Sequence, residues 1–99
     1  MIIVHDIFVC KPGNASKLAK LMKEWAEFET KRGREMRIMT DMTGQYHRVI
    51  SVSEHQSLAA YEKSMAKMGN SPELKKIMEK FKDMNEMYVS GSREIYKVW

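Results

Sequence analysis

The chain is poor in the features that mark secreted, membrane and metal-dependent proteins. It has a single cysteine, Cys10, which rules out an intramolecular disulfide. Its apolar runs are all much shorter than the roughly 18 residues that a membrane-spanning helix requires. Asp6 interrupts the apolar N-terminus and no basic segment precedes it, so this region does not resemble a signal peptide. We therefore expect a protein of the reducing cytoplasm without a membrane partner.

Sequence motifs for cofactor or nucleophile chemistry are missing as well. The three histidines, His5, His47 and His55, do not fall at metal-ligand spacing, and there is no CxxC or HxxxH pair. There is also no glycine-rich phosphate loop and no serine in a nucleophile elbow. These absences predict neither a metal nor a cofactor.

Positive charge is in slight excess but is not concentrated in one stretch. The formal net charge is +4 over 99 residues, and lysines are interleaved with glutamates along the predicted helices. A nucleic-acid interface would need a one-sided basic stripe with exposed aromatic residues, so we expect no nucleic-acid partner. The length, with 43% apolar and 30% charged residues, fits one globular domain over residues 1–99.

The most informative segment is the first predicted strand, which runs from Ile2 to Cys10. Both of its alternating faces are largely apolar, so both must be covered. The rest of the chain offers helices enough for one face only. We expect a second copy of the chain to cover the other, which makes the protein a homodimer.

Apolar residues at helical spacing predict three helices. The first should span about residues 15 to 31, and a capping box from Ser53 to Gln56 should begin the second. Gly69-Asn70 should end the second, and Ser71-Pro72 should begin the third. The expected buried stripes of the second and third helices are Leu58, Tyr61, Met65 and Met68, and Leu74, Ile77, Met78, Phe81 and Met84.

Three further strands complete the prediction. Residues 36 to 43 and 46 to 53 form a hairpin that turns at Gly44-Gln45. A final strand of about residues 93 to 99 follows an interruption at Gly91. The order β-α-β-β-α-α-β predicts an α+β ferredoxin-like plait, with a four-stranded antiparallel sheet and helices on one face.

Two segments carry a resemblance to a known superfamily. Residues 7 to 13 (IFVCKPG) and 47 to 62 (HRVISVSEHQSLAAYE) resemble the dimeric α+β barrel proteins, which include antibiotic-biosynthesis and haem-degrading monooxygenases, NIPSNAP-type and stress-responsive proteins. The resemblance implies two sheets packed face to face in a dimeric barrel. It also implies a pocket between sheet and helices, or in the barrel interior.

The family register and strand alternation together give a candidate site. Counting back from Gly13 directs Asp6 and Phe8 to the pocket, and alternation places His47, Val49, Ser51 and Ser53 on one face of the third strand. Asp6 and His47 would then be neighbours able to transfer protons, and Met65 and Met78 would add flexible lining.

Simpler structural explanations exist for Asp6 and the methionines. Asp6 could pair with Arg37, Arg48 or Arg93 or lie near a solvated edge, and the methionines could be core residues. His5 is expected in the layer under the helices, and His55 is expected to be exposed.

The resemblance implies three functions. The first is a cofactor-independent monooxygenase or isomerase acting on an aromatic or quinone-like molecule, polycyclic rings included. Haem degradation is disfavoured because Asp6, Ser53 and Ile77 or Met78 replace the family's asparagine, tryptophan and axial histidine. The third is a non-catalytic, NIPSNAP-like or stress-related dimer that binds a small apolar or aromatic ligand or a partner.

Overall fold

A computed structural model describes residues 1–44, 47–67 and 72–99. Its elements follow the predicted order, and the α+β plait is confirmed. They are β1 (Ile2–Cys10), α1 (Ala15–Lys31), β2 (Met36–Thr40), β3 (Arg48–His55), α2 (Leu58–Lys67), α3 (Pro72–Lys80), a 3₁₀ helix (Phe81–Glu86) and β4 (Tyr88–Lys97). No helix in the described part of the chain combines the length and apolarity needed to cross a bilayer. The cytoplasmic location stays a prediction.

The four strands form one antiparallel sheet in the order β2-β3-β1-β4. Strand β1 is therefore paired on both edges, with β3 on one side and β4 on the other. Asp6 lies opposite Ser51 of β3 and opposite Arg93 of β4. Residues that lie opposite one another project to the same face, so these three side chains form one polar row across the sheet.

The helices pack on the face to which the even-numbered residues of β1 project. Cys10 and Val49 of this face form a buried cluster with Leu18 and Met22 of α1 and with Phe81. Leu18 and Met22 are one helical turn apart, so both contact the sheet. This layer is the hydrophobic core of the domain.

The odd-numbered residues of β1 form the other face, which we call the open face. Ile3, Ile7 and Val9 lie here, with Ile50 and Val52 of β3, and all are half-buried by their sheet neighbours alone. None of the described helices packs on it. The dimer that the sequence analysis predicts for this face stays a prediction.

The position predicted for His5 is wrong. Val4 is buried under the helices, so strand alternation puts its neighbour His5 on the open face. There the His5 ring packs edge-on against Tyr96, with 5.1 Å between ring centroids.

The predicted start of the second helix is also wrong. Strand β3 continues to His55, which pairs with Ile2, and helix α2 begins only at Leu58. Ser57 caps it, because the Ala60 amide donates to Ser57 Oγ at 3.1 Å. Pairing with β1 therefore keeps Ser53 to His55 in the strand, and the capping box predicted at Ser53 does not form a helix start.

Further predictions of boundaries and burial differ from the structure. Leu58, predicted in the buried stripe of the second helix, is 55% exposed. Strand β4 begins at Tyr88 and passes through Gly91, because Gly91 pairs with Phe8 in the ladder. The third helix tightens into 3₁₀ geometry at Phe81, and Met78 is 48% exposed instead of buried. Gly44 has the positive φ expected of the hairpin turn, whereas Gln45, Tyr46, Met68 and the predicted boundary at residues 69 to 71 lie outside the described residues.

We expect Leu18→Ala to lower the free energy of unfolding by about 2–5 kcal/mol, because it removes a fully buried side chain and leaves a cavity. Urea denaturation followed by circular dichroism measures this. The matched control is Leu58→Ala on α2, where the side chain is 55% exposed and the expected change is within about 0.5 kcal/mol. Equal effects of the two substitutions would contradict this account of the core.

Candidate functional site

A cavity of about 130 Å³ lies between the sheet and helices α1 and α2. Its floor is the polar row of the sheet, Asp6, Ser51 and Arg93, together with Phe8 and Ser53. Its walls are mainly apolar and are formed by Met22, Trp25, Met65 and Met84, with Tyr61 from α2. A mostly apolar cavity with a few convergent polar groups is typical of a small-molecule site.

An ion pair closes the floor of the cavity. Arg93 Nε donates to Asp6 Oδ1 at 2.5 Å, as the register of β1 and β4 allows. Asp6 raises the pKa of Arg93, mainly through this hydrogen bond. The guanidinium carbon also lies 5.8 Å from the centre of the Tyr61 ring. Of the pairings considered for Asp6, the structure contains the one with Arg93, so this carboxylate is not a free base.

His55 lies in the cavity wall, although the sequence suggested an exposed position. Its Nε2 is 3.0 Å from Ser53 Oγ, and its ring packs edge-on against Tyr61 at 4.9 Å between centroids. Burial lowers the pKa of His55, the positive charge of Arg34 lowers it further, and Glu29 partly opposes these effects. His55 is therefore uncharged near neutral pH and able to accept a proton.

Tyr61 supplies an unsatisfied polar atom. Its hydroxyl oxygen is buried and has no hydrogen-bond partner among the described residues. Burial raises the pKa of Tyr61, so the hydroxyl stays protonated. An unpaired buried hydroxyl costs about 1–3 kcal/mol, which a bound molecule could recover by hydrogen bonding to it.

Glu29 of α1 is the functional candidate that sequence reasoning missed. It is only 4% exposed and lines the cavity. The Trp25 indole donates to Glu29 Oε1 at 3.3 Å, and Arg34 donates to Oε2 at 3.5 Å. Helical spacing in the sequence could have predicted this burial. Glu29 lies on the same helix face as Leu18, Met22 and Trp25, because the successive separations are four, three and four residues.

The structure brings together only part of the predicted site. Asp6, Phe8, Ser51, Ser53 and Met65 all line the cavity. The roles predicted for these five residues remain untested.

His47, Val49 and Met78 do not line the cavity. His47 precedes β3 by one residue and lies four residues from Ser51, the partner of Asp6, which is about 13 Å along a strand. Val49 is fully buried in the core, and Met78 lies on the exposed side of α3. The expected contact between Asp6 and His47 is therefore wrong.

Cys10 is buried in the core cluster, and burial raises the pKa of its thiol, which makes it unreactive. Within residues 1–44, 47–67 and 72–99, no group of three or more histidine, cysteine, aspartate or glutamate side chains is arranged to hold a metal ion.

Known structures with this architecture include NIPSNAP-domain proteins and proteins described as antibiotic biosynthesis monooxygenases. An uncharacterised NIPSNAP-domain protein from Burkholderia xenovorans aligns over 100% of this chain and 95% of its own length, with a TM-score of 0.79 and 8% identity. A NIPSNAP family protein of unknown function from Agrobacterium tumefaciens aligns over 99% and 87%, with a TM-score of 0.79 and 16% identity. A candidate antibiotic biosynthesis monooxygenase from Deinococcus radiodurans aligns over 100% and 93%, with a TM-score of 0.69 and 16% identity.

These similarities confirm the ferredoxin-like plait of the single chain, while the dimeric barrel stays a prediction. At such low identity they show the fold alone, since one fold hosts many activities. No protein-family model matches the sequence, and no curated protein does either. The evidence for a function therefore lies in the residues that line the cavity.

We expect His55 to titrate below the ordinary histidine pKa of 6.5. Because the folded-state pKa is lower than the unfolded one, the unfolded chain binds more protons, and stability falls as the pH drops below about 6.5. The shift of the His55 C2 proton with pH, assigned by comparison with His55→Gln, measures this. Arg34→Gln should move the pKa upward, since it removes a positive charge and leaves Glu29 unpaired; a His55 titration at or above 6.5 would contradict the assignment.

Proposed function

We propose that the chain binds a small aromatic molecule of the quinone or hydroquinone type in this cavity and transfers a proton to or from it without a cofactor. The observation that carries the proposal is the unpaired, buried hydroxyl of Tyr61 beside an uncharged histidine, His55. Tyr61 is a donor without an acceptor, and His55 in the same wall accepts a proton at Nδ1 when its Nε2 donates to Ser53 Oγ. Together they fit a ligand oxygen that changes its protonation state.

The size and lining of the cavity support a single-ring ligand. An apolar cavity of about 150 Å³ accommodates benzene, and this cavity measures about 130 Å³. Phe8 and Trp25 offer ring faces and edges, while Met65 and Met84 offer polarisable sulfur atoms that contact rings favourably. A monocyclic ligand fits this space better than the polycyclic ones considered from sequence.

The chemistry follows from the two polar groups. His55 accepts the proton of a ring hydroxyl as a general base, and the Tyr61 hydroxyl donates to the oxygen that becomes negative. In an isomerase the proton returns to a carbon of the same molecule. In an oxygenase the hydroquinone anion reduces dioxygen: one oxygen atom replaces a hydrogen on a ring carbon as a hydroxyl group, the other leaves as water, and the ring is oxidised to a hydroxyquinone. This activity is in keeping with the fold shared with the candidate monooxygenase from Deinococcus radiodurans.

Binding without turnover is the second candidate, and the Asp6 ion pair favours it. The carboxylate that the sequence offered as a base is engaged by Arg93. An oxygen electrode and product analysis with a panel of single-ring hydroquinones separate the two functions. Dioxygen uptake or isomerised product that is lost in His55→Gln supports the enzyme, and ligand binding without either supports the binding module.

We expect Tyr61→Phe to weaken hydroquinone binding about tenfold, because it removes the hydroxyl that the ligand would satisfy. NMR titration of the labelled protein under nitrogen measures the dissociation constant. The control is Tyr88→Phe, which removes a hydroxyl bonded to Asn85 outside the cavity and should leave affinity unchanged. Hydroquinone affinity equal in both variants would exclude Tyr61 as a ligand contact.

We further propose that two copies of the chain pack through their open faces. The support is the apolar character of Ile3, Ile7, Ile50 and Val52 on a face that none of the described helices covers. A two-fold symmetric contact would bury this face on both copies at once. The cavity lies on the opposite side of the sheet, so each copy would keep its own.

Ile7→Lys should convert the dimer into a folded monomer, because it places a charge at the centre of the open face. Native mass spectrometry and light scattering over a range of concentrations report the subunit number. Leu58→Lys adds the same charge to an exposed position of α2 and should leave the dimer intact. A wild-type monomer at all concentrations would refute the open-face interface.

A further inference from the structure

We propose that Glu29 is the specificity-determining residue of the cavity: it accepts a hydrogen bond from a ring hydroxyl and excludes aromatic carboxylates. The proposal rests on the proposed function, because it names the class of ring that the cavity takes. It predicts neutral hydroxylated rings, such as hydroquinones and hydroxylated amides, as ligands.

The Glu29 carboxylate is incompletely bonded. Its two contacts, to Trp25 at 3.3 Å and to Arg34 at 3.5 Å, are longer than the roughly 2.7–2.9 Å of a good charge-assisted hydrogen bond. An ionised carboxylate offers about four lone-pair sites, so acceptor capacity remains. Its side chain is 5% exposed, which makes unused capacity costly and a ligand O–H donor favourable.

The charged residues of the cavity lining disfavour a ligand carboxylate. Of the described residues that line the cavity, two carry a guanidinium group, and both are already paired: Arg34 with Glu29 and Arg93 with Asp6. His55, the other basic group in the lining, is uncharged near neutral pH. A ligand carboxylate would therefore meet Glu29 and Asp6 without a cation of its own, and repulsion between like charges is stronger beside the buried carboxylate of Glu29 than in water.

The two ends of the ligand then have different partners. One ring hydroxyl donates to Glu29, and a second oxygen accepts from the Tyr61 hydroxyl. His55 contacts the Tyr61 ring and is close enough to Glu29 for that charge to affect it. A ring with oxygen substituents at separate positions satisfies both unsatisfied groups at once.

The test compares matched ligands in matched variants by NMR titration near neutral pH. The probes are hydroquinone, 4-hydroxybenzoate and 4-hydroxybenzamide; the last two differ mainly in charge. The wild-type chain should bind the amide about tenfold more tightly than the carboxylate. Glu29→Gln should lose this preference and bind hydroquinone about tenfold more weakly, because a neutral amide oxygen replaces a charged hydrogen-bond acceptor. Glu27→Gln makes the same change at an exposed position of α1 and should behave as wild type.

The outcomes separate this inference from the function on which it rests. If Glu29→Gln keeps both the hydroquinone affinity and the preference for the amide, the role of Glu29 is refuted while ring binding stands. If none of the probes binds the wild-type chain, both proposals fail. If circular dichroism shows that Glu29→Gln does not fold, the wild-type chain alone tests the inference. Binding of 4-hydroxybenzoate as tight as, or tighter than, that of 4-hydroxybenzamide would then overturn it.

Discussion

The pairing of β1 on both edges is the constraint on which the rest of the structure depends. Because side chains alternate with a period of two, the ladders with β3 and β4 decide which residues meet the helices and which form the open face. A slip of one residue would bring His5 and Ile7 under the helices and expose Val4 and Asp6. The full burial of Val4 and Val49 fixes the register against such a slip.

The same register assembles the polar row on which the cavity is built. Asp6, Ser51 and Arg93 come from three strands and are far apart in the sequence, yet they lie side by side. Asp6 and Arg93 neutralise each other's charge in an ion pair. The groups left with unused hydrogen-bonding capacity, Tyr61 and Glu29, come from the helices above. The sheet thus supplies an ion-paired floor, the helices supply Tyr61 and Glu29, and the end of β3 supplies His55.

Proteins of this fold share the plait without sharing sequence. The NIPSNAP-domain and monooxygenase structures align over nearly the whole chain at 8% to 16% identity, which is enough for the architecture and too little to carry over a residue's role. The evidence for a function is the lining of this chain's own cavity, where His55 packs against Tyr61, and Glu29, methionines and aromatic rings line the same space. That chemistry, and not the fold, is the basis of the function proposed for it.

The sequence by itself determined the fold class, the order of the elements and the extents of β1 and α1, because long periodic apolar patterns are local and strong. It also supplied five residues of the lining: strand alternation gave Ser51 and Ser53, helical spacing gave Met65, and the resemblance to the barrel superfamily implied Asp6 and Phe8. Only the tertiary structure decided that His55 and not His47 joins the cavity, since this depends on how far β3 pairs along β1. The burial of Glu29 and the isolation of the Tyr61 hydroxyl likewise arise where α1, α2 and the sheet meet, because hydrogen-bond partners from distant segments are set by packing and not by local pattern.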